Sequence, residues 1–165
     1  MDDLDFSAVY TRHAQDVYRF SLYLSGDVHV AQEVTAETFA RAWASWRRIR
    51  LGSVKAYLLM IARNLVRDGH RRPPATPLTE VGDVVDPTAD HERASHARDE
   101  WRIVQRALAE LSELDRTILL MATMEGLSHQ VIAEAVDLSV AAVKVRIHRA
   151  RVHLNLARGR MEEAR

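Results

Sequence analysis

Apolar residues recur along most of this chain at the three-to-four-residue spacing of a helix that buries one face. No stretch of useful length shows the alternation of a half-buried strand. In residues 1–72 the pattern predicts three helices, separated by a break at Gly26-Asp27 and a loop at 47–52, with Ser53 capping the third. The predicted inward residues are Phe6, Val9, His13, Val17, Phe20 and Leu24 in the first helix, Val30, Val34, Phe39, Ala42, Trp43 and Trp46 in the second, and Leu58, Ile61, Ala62 and Leu65 in the third.

The helical spacing returns after residue 90. One helix is predicted over residues 101–111, and another from a break or cap at Ser112 to Gly126. The chain then predicts a short helix, a three-residue turn and a longer helix, with Ser128 and Ser139 as the two N-caps. This is the layout of a helix-turn-helix, whose second helix enters the major groove of DNA.

Residues 73–90 separate the two helical blocks and contain all four prolines of the chain but no Lys or Arg. That composition predicts a flexible acidic linker, which lets the blocks sit far apart on a partner. The fold class predicted is therefore all-α, with two small helical domains at 1–72 and 91–165 joined by the linker.

Composition and the N-terminal residues restrict the kinds of site and the cellular compartment that are expected for this protein. Its 165 residues include no cysteine, which excludes disulfides, thiolate metal sites and a cysteine nucleophile. There is no apolar run of about 18 residues, so no membrane insertion is predicted. The acidic start, Met1 to Asp5, lacks the basic region of a signal peptide, and a cytoplasmic protein is expected.

The charge of the chain is zero overall but unevenly distributed. Residues 139–160 hold six basic side chains and no acidic one. Because salt screens charges beyond about 10 Å, this local excess decides whether phosphates bind. In the last helix Val143, Ile147, Ala150 and Leu154 predict a buried stripe, and the opposite face is basic. The candidate residues for duplex DNA are Ser139, Lys144, Arg146, His148, Arg149 and Arg151.

Two segments of the first block resemble signatures of bacterial sigma factors: residues 31–43 (AQEVTAETFARAW) and residues 56–72 (AYLLMIARNLVRDGHRR). Their order, followed by a linker and a helix-turn-helix, resembles the extracytoplasmic-function group of the sigma-70 family. The resemblance covers nearly the whole chain, with region 2 at about 5–72, region 4 at about 100–158, and regions 1.1 and 3 missing.

The resemblance implies a division of labour between the helices. The second helix, through Glu33, Ala36, Glu37 and Phe39, would dock on the clamp helices of the largest subunit of core RNA polymerase. The third helix and the loop before it would melt and hold the −10 element of promoter DNA. The C-terminal domain would read the −35 element and touch the polymerase flap. The resemblance also implies an anti-sigma factor as partner and a monomer when free.

The third helix has the residue types that single-stranded DNA requires, with basic side chains for phosphates and planar ones for bases. Arg63, Arg67 and Arg71 recur every four residues, and Asn64 beside them can bond a base edge. Trp43 is expected in the core, whereas for Trp46 stacking on a base and core packing stay open. The candidate residues for the −10 element are Trp46, Lys55, Tyr57, Arg63, Asn64, Arg67, Arg71 and Arg72.

The recognition helix departs from the family pattern. Residues 141–145 read Ala-Ala-Val-Lys-Val where the family often has Gly-Thr-Val-Lys-Ser. The lost hydroxyls remove contacts to phosphates or bases, so the −35 preference of the family is not carried over. A Glu-Glu pair near the start of the preceding helix is Gln130-Val131 here, which removes the capping-box partner of Ser128.

Three other classes of function compete with this one. An enzyme is disfavoured because no His-Glu-x-x-His or P-loop motif is present, and the pairs His91/His96 and His148/His153 are spaced five apart, not three or four. No catalytic residue, metal or cofactor is predicted. A stand-alone helix-turn-helix repressor or activator would leave the first block without a role and would dimerise on paired half-sites. A helical interaction module held by a partner is the third class.

Overall fold

The computed structural model describes residues 5–46, 53–69 and 91–163, so the predicted linker, the loop at 47–52 and both Arg71 and Arg72 lie outside the described residues. Within these ranges the chain forms seven α-helices and no strand, which confirms the all-α prediction. The helices are α1 (Phe6–Ser25), α2 (Val28–Ser45), α3 (Val54–Gly69), α4 (His91–Ala109), α5 (Glu113–Thr123), α6 (His129–Val136) and α7 (Val140–Glu162).

Short polar residues begin the helices, as their sequence positions predicted. The hydroxyls of Ser53, Ser128 and Ser139 each accept a hydrogen bond from the backbone N–H three residues ahead, at 3.2, 3.2 and 3.1 Å. Ser112 caps α5 in the same way. Each bond satisfies one N–H group that has no partner inside the helix.

Helices α1, α2 and α3 pack on one another around a shared apolar core. Phe20, Leu24, Leu58 and Leu59 are fully buried at its centre. Trp43 was predicted to be inward, and this was wrong, because its side chain is 63% exposed. The C-terminal half of α2 is apolar on more than one face, so the spacing of apolar residues could not identify the buried one.

The core continues through α5, α6 and α7, with α4 packed on α7. Val143, Ile147 and Ala150 of α7 are buried against this core, which confirms most of the predicted stripe. Ile118 and Ile132 are fully buried on the facing helices. The helix-turn-helix is therefore supported from behind by α5, and one side of α7 faces solvent.

The two blocks contact each other directly. Helix α1 packs against α5, and α3 packs against both α5 and α6. The ring of Tyr23 in α1 meets the edge of Trp101 in α4 at a centroid distance of 4.7 Å. The sequence predicted two domains able to sit apart, and the structure shows a closed arrangement, a term used below for this packing of α1 and α3 on α4, α5 and α6.

Gly26 ends α1 in the left-handed conformation, with φ of +73°, and a Cβ atom there would lie 2.9 Å from Oε1 of Gln105 in α4. We therefore expect Gly26→Ala to destabilise the protein by about 1–2 kcal/mol, measured by urea denaturation. Gly159→Ala is the control, because a Cβ atom added there would meet no atom within 4 Å and the helical site should gain about 0.5–1 kcal/mol. Equal effects at the two positions would contradict the strain at Gly26.

Candidate nucleic-acid and polymerase interfaces

The helix-turn-helix is formed by α6, residues 137–139 and α7. Asp137 ends α6 with a φ of +56°, and the N–H of Leu138 donates to the carbonyl of Ala133 at 3.0 Å. Ile132 and Ala133 of α6 are buried in the same core as Val143 of α7. The turn and this packing fix the direction in which α7 leaves the domain.

Four of the predicted duplex-binding residues project from the outer side of α7: Lys144, His148, Arg149 and Arg151 are exposed. Among the residues that the structure describes, none of the four forms an ion pair. In the closed arrangement α7 packs on α4, α5 and α6 with its opposite side, so the side that carries the four basic residues remains accessible. The structure thus presents a basic surface with its charges available to an anion.

The other two predicted residues are engaged inside the domain. Arg146 Nη1 donates to Oδ1 of Asp115 in α5 at 2.6 Å, and this half-buried pair fixes α7 against α5. Burial alone would raise the pKa of Asp115, but hydrogen bonds from Ser112 and Arg146 and the charge of Arg149 hold the pKa below its usual value. The Ser139 hydroxyl accepts from the N–H of Ala142. Both residues position the helix.

A second, apolar row also lies on the outer side of α7, and it was not predicted from the sequence. Val145, Val152 and Leu156 are exposed, and Ala141 continues the row toward the start of the helix. Their spacing of four, eleven and fifteen residues from Ala141 is helical. That spacing is visible in the sequence. The prediction assigned the apolar residues of this helix to the buried stripe on the opposite side, and it included no second row.

The basic residues of α3 differ in availability. Arg63 forms a two-pronged pair with Glu113 of α5, with Nε–Oε1 at 2.7 Å and Nη2–Oε2 at 2.8 Å. The hydrogen bond from Arg63 lowers the pKa of Glu113 and, with its charge, outweighs the opposing effect of burial. Arg67 is exposed, with Asp68 3.8 Å away, and Asn64 is half-buried.

Lys55 of α3 belongs to an ionic cluster that joins the two blocks. Its Nζ lies 2.9 Å from Oε2 of Glu125 and 3.1 Å from Oδ2 of Asp16. Arg19 of α1 donates to both carboxylate oxygens of Glu125 at 3.1 Å, and the Glu125 side chain is fully buried. Burial raises the pKa of Asp16, but Lys55, His13 and Arg19 together bring it below the ordinary value.

One further hydrogen bond joins the two blocks, and another ties two helices of the first block together. Arg116 of α5 donates from Nη1 to the carbonyl of Leu24 at 3.0 Å, and burial lowers its pKa. Tyr57 shares a hydrogen bond of 2.7 Å with Ser45, which ties α3 to the end of α2. Glu113, Glu125 and Arg19 were not predicted as site residues. The sequence around these residues gives no sign of their contacts, because their partners are 50 to 106 residues away.

The predicted polymerase-docking helix, α2, has a polar outer side. Glu33, Ala36 and Glu37 are exposed, and Glu37 pairs with Arg41 at 2.7 Å. Phe39, predicted for the same surface, is only 4% exposed and packs edge-on against Phe6 and Tyr10.

Two exposed aromatic rings flank the outer side of α2. Trp43 lies two helical turns after Ala36, and Tyr10 of α1 is half exposed. Trp43 meets the ring of Phe6 edge-on at a centroid distance of 4.9 Å. Trp46 is half-buried and packs against the core, with its ring edge-on to Phe6 at a centroid distance of 5.3 Å, so part of the ring remains accessible.

In the described ranges no group of three His, Asp or Glu side chains is placed to hold a metal ion. Every helix of the described residues is too short or too polar to traverse a bilayer.

Comparisons with known proteins match both blocks. Residues 9–73 match the family model described as Sigma-70 region 2, and residues 101–154 match Sigma-70, region 4. The chain is 34% identical over 138 residues to the ECF RNA polymerase sigma factor SigC of Mycobacterium tuberculosis, covering 83% of this chain and 74% of that one. It is 31% identical over 147 residues to the ECF RNA polymerase sigma factor SigE of Mycolicibacterium smegmatis, covering 87% of this chain and 57% of that one.

Solved structures share the fold. CnrH in complex with the cytosolic domain of CnrY gives a TM-score of 0.71 at 24% identity, covering 92% of this chain and 85% of that one. The sigma factor RpoE with the anti-sigma factor NepR from Bartonella quintana gives 0.69 at 20% identity, covering 93% and 96%. With two sigma-70 regions in order and a relative matched over most of both chains, this chain belongs to the extracytoplasmic-function RNA polymerase sigma factors.

Proposed function

We propose that this protein binds bacterial core RNA polymerase, directs it to promoters through a −35 and a −10 element, and promotes melting of the DNA at the start site. The exposed basic side of α7, on a helix-turn-helix packed from behind, is the observation that carries the proposal. We assign region 2 to residues 1–72, the linker to 73–90 and region 4 to 91–165. A stand-alone repressor or activator is disfavoured because the similarity to SigC spans both blocks.

Region 4 would read the −35 element from the outer side of α7. Arg149 can bond a guanine with two parallel hydrogen bonds, and Lys144, His148 and Arg151 are placed to hold phosphates or base edges. Arg146 and Ser139 would act indirectly, by holding the helix at the angle that the groove requires. This region would also touch the polymerase flap.

Region 2 would hold the −10 element along α3, where Asn64 and Arg67 continue the surface toward Arg71 and Arg72. Lys55 and Arg63 are paired with acidic residues of the same chain in the closed arrangement. Because Glu125 and Glu113 already neutralise these two cations, promoter binding through Lys55 and Arg63 would require the blocks to separate. Tyr57 and Trp46 are the rings available for stacking.

Polymerase docking would use the outer side of α2. Glu33, Ala36 and Glu37 supply its polar part, and the exposed ring of Trp43 supplies the apolar contact that such surfaces need at their centre. Phe39 would support the surface from beneath, because it is buried.

An anti-sigma factor is the proposed regulator. Two solved structures with this fold are described as complexes, one with the cytosolic domain of CnrY and one with the anti-sigma factor NepR. An anti-sigma factor that binds the closed arrangement of this chain would keep Lys55 and Arg63 from DNA. The free protein would be a monomer in the cytoplasm, where it would meet the polymerase.

Transcription from genomic fragments by purified core polymerase, with and without this protein, tests the proposal. New RNA 5′ ends that share upstream motifs would support it and would define both promoter elements. Absence of core binding, combined with a free dimer that binds DNA, would replace it with the repressor function.

Arg149→Ala is expected to weaken holoenzyme binding to a duplex carrying the −35 element by about 1–3 kcal/mol, because a base-reading arginine would be lost. Fluorescence anisotropy with the mapped promoter measures this effect. Arg106→Ala, which removes an exposed arginine of α4, is the control and should leave binding unchanged. An equal loss of affinity for every −35 sequence would assign Arg149 to a phosphate.

A further inference from the structure

The middle of the outer side of α7 is apolar, although basic residues flank it. Val145 is 47% exposed and sits two residues after the buried Val143, which places it about 200° around the helix. Ala141, also exposed, lies one turn earlier on the same line. Val145 therefore lies outside the core that α7 builds with its neighbours, between the exposed cations Lys144 and Arg149.

We propose that Val145, with Ala141 before it, contacts the C5-methyl groups of thymines in the −35 element, so that this chain selects thymine at the positions it faces. This inference rests on the proposed function of region 4. The isopropyl group of valine can neither donate nor accept a hydrogen bond. The apolar feature that a base edge offers in the major groove is the methyl group of thymine.

The placement of Val145 on the helix favours a base contact. Residues near the N-terminus of a recognition helix reach the base edges, and Val145 lies in the second turn of α7. Val152 and Leu156 continue the apolar row, but they lie about 10 and 16 Å further along the helix axis. The major groove is about 12 Å wide, so these two residues would lie near its edge or beyond it. Lys144 and Arg149 project on either side of Val145, where they can hold the helix in the groove.

The neighbours of Val145 fix the direction in which it points. Ile147 is buried in the domain core, and Arg146 is paired with Asp115 at 2.6 Å. Helix α7 therefore cannot rotate about its axis without breaking the Arg146–Asp115 pair and the packing of Ile147. Because Val is branched at Cβ, its side chain also has few rotamers. A fixed apolar group of this kind suits discrimination between bases.

The test replaces each thymine of the mapped −35 element, one at a time, with deoxyuridine, which lacks the methyl group and keeps the same hydrogen-bonding edge. Holoenzyme made with the full chain should lose about three- to ten-fold in affinity at one or two positions, the effect of one to two buried methyl-sized groups. Val145→Ala should lose a similar factor on the thymine duplex and become insensitive to uracil at one of those positions.

Val152→Ala is the matched control, because it shortens an exposed valine of the same row and should keep the uracil effect. Circular dichroism checks that both variants fold, as their partial exposure predicts. Uracil without effect at every position, or an undiminished uracil effect in Val145→Ala, would overturn the inference. A holoenzyme that binds no promoter would instead reject the proposed function, so the two failures are distinguishable.

Discussion

Glu125→Gln is expected to separate the two helical blocks while leaving each of them folded. The Glu125 carboxylate is fully buried and holds Arg19 and Lys55, one from each of two helices of the other block. Removing the Glu125 charge leaves Arg19 and Lys55 to share the single negative charge of Asp16, and this weakens the ionic cluster. Because the two cations remain 38% and 21% exposed, water reduces the cost to about 1–3 kcal/mol. That cost shifts the balance between closed and open forms by about 5- to 150-fold.

Energy transfer between two dyes measures the separation. The chain has no cysteine, so Ala40→Cys in α2 and Ala109→Cys in α4, both at exposed positions, accept a unique pair of labels. Transfer efficiency should fall in the Glu125→Gln background, with helicity by circular dichroism unchanged. Glu37→Gln is the control, since it breaks an exposed ion pair within α2 alone.

An unchanged dye distance in Glu125→Gln would mean that the Arg63–Glu113 pair and the contact of Tyr23 with Trp101 suffice to hold the blocks together. A fall in transfer efficiency would instead show that the buried Glu125 carboxylate holds the two blocks together. If core polymerase binds only the open form, its apparent affinity is reduced by the fraction of the protein that is open. Glu125→Gln raises that fraction, so it should strengthen polymerase binding by up to the same factor of about 5- to 150-fold.

Features that depend on neighbouring residues could be predicted from the sequence. Ser128 and Ser139 cap their helices because a hydroxyl three residues before a free N–H is a local arrangement. Val143, Ile147 and Ala150 are buried because their spacing matches one turn of a helix supported from behind. These contacts do not require knowledge of the rest of the fold.

The closed arrangement depends on pairs that are far apart in sequence, and it could not be predicted. Arg63 was assigned to a DNA strand from its basic character, yet its partner Glu113 is 50 residues away. Phe39 is buried although it lies in the predicted docking motif, because α1 covers it with Phe6 and Tyr10. Trp43 shows the opposite outcome, because its apolar spacing predicted burial and its side chain is exposed. Apolar spacing reports that a residue can be buried, but the packing of the other helices decides whether it is.

Trp43→Ala is expected to weaken binding of core polymerase by about 2 kcal/mol or more, roughly 30-fold in Kd, because exposed tryptophans dominate the energy of the interfaces they enter. Stability should change by only about 0.5–1 kcal/mol, since the side chain is 63% exposed and mainly loses its edge contact with Phe6. Titration of labelled protein with core polymerase, beside urea denaturation, measures both quantities.

Two control variants separate docking from folding at the Trp43 surface. Val104→Ala shortens an exposed apolar residue on α4 and should leave polymerase binding unchanged. Phe39→Ala should lower stability by about 3–5 kcal/mol, because a buried ring leaves a cavity. If Trp43→Ala instead destabilised the protein as much as Phe39→Ala, with polymerase binding of the folded fraction intact, the ring would belong to the fold. A loss of binding at full stability would place the centre of the docking surface at Trp43, where the apolar spacing of α2 predicted a core residue.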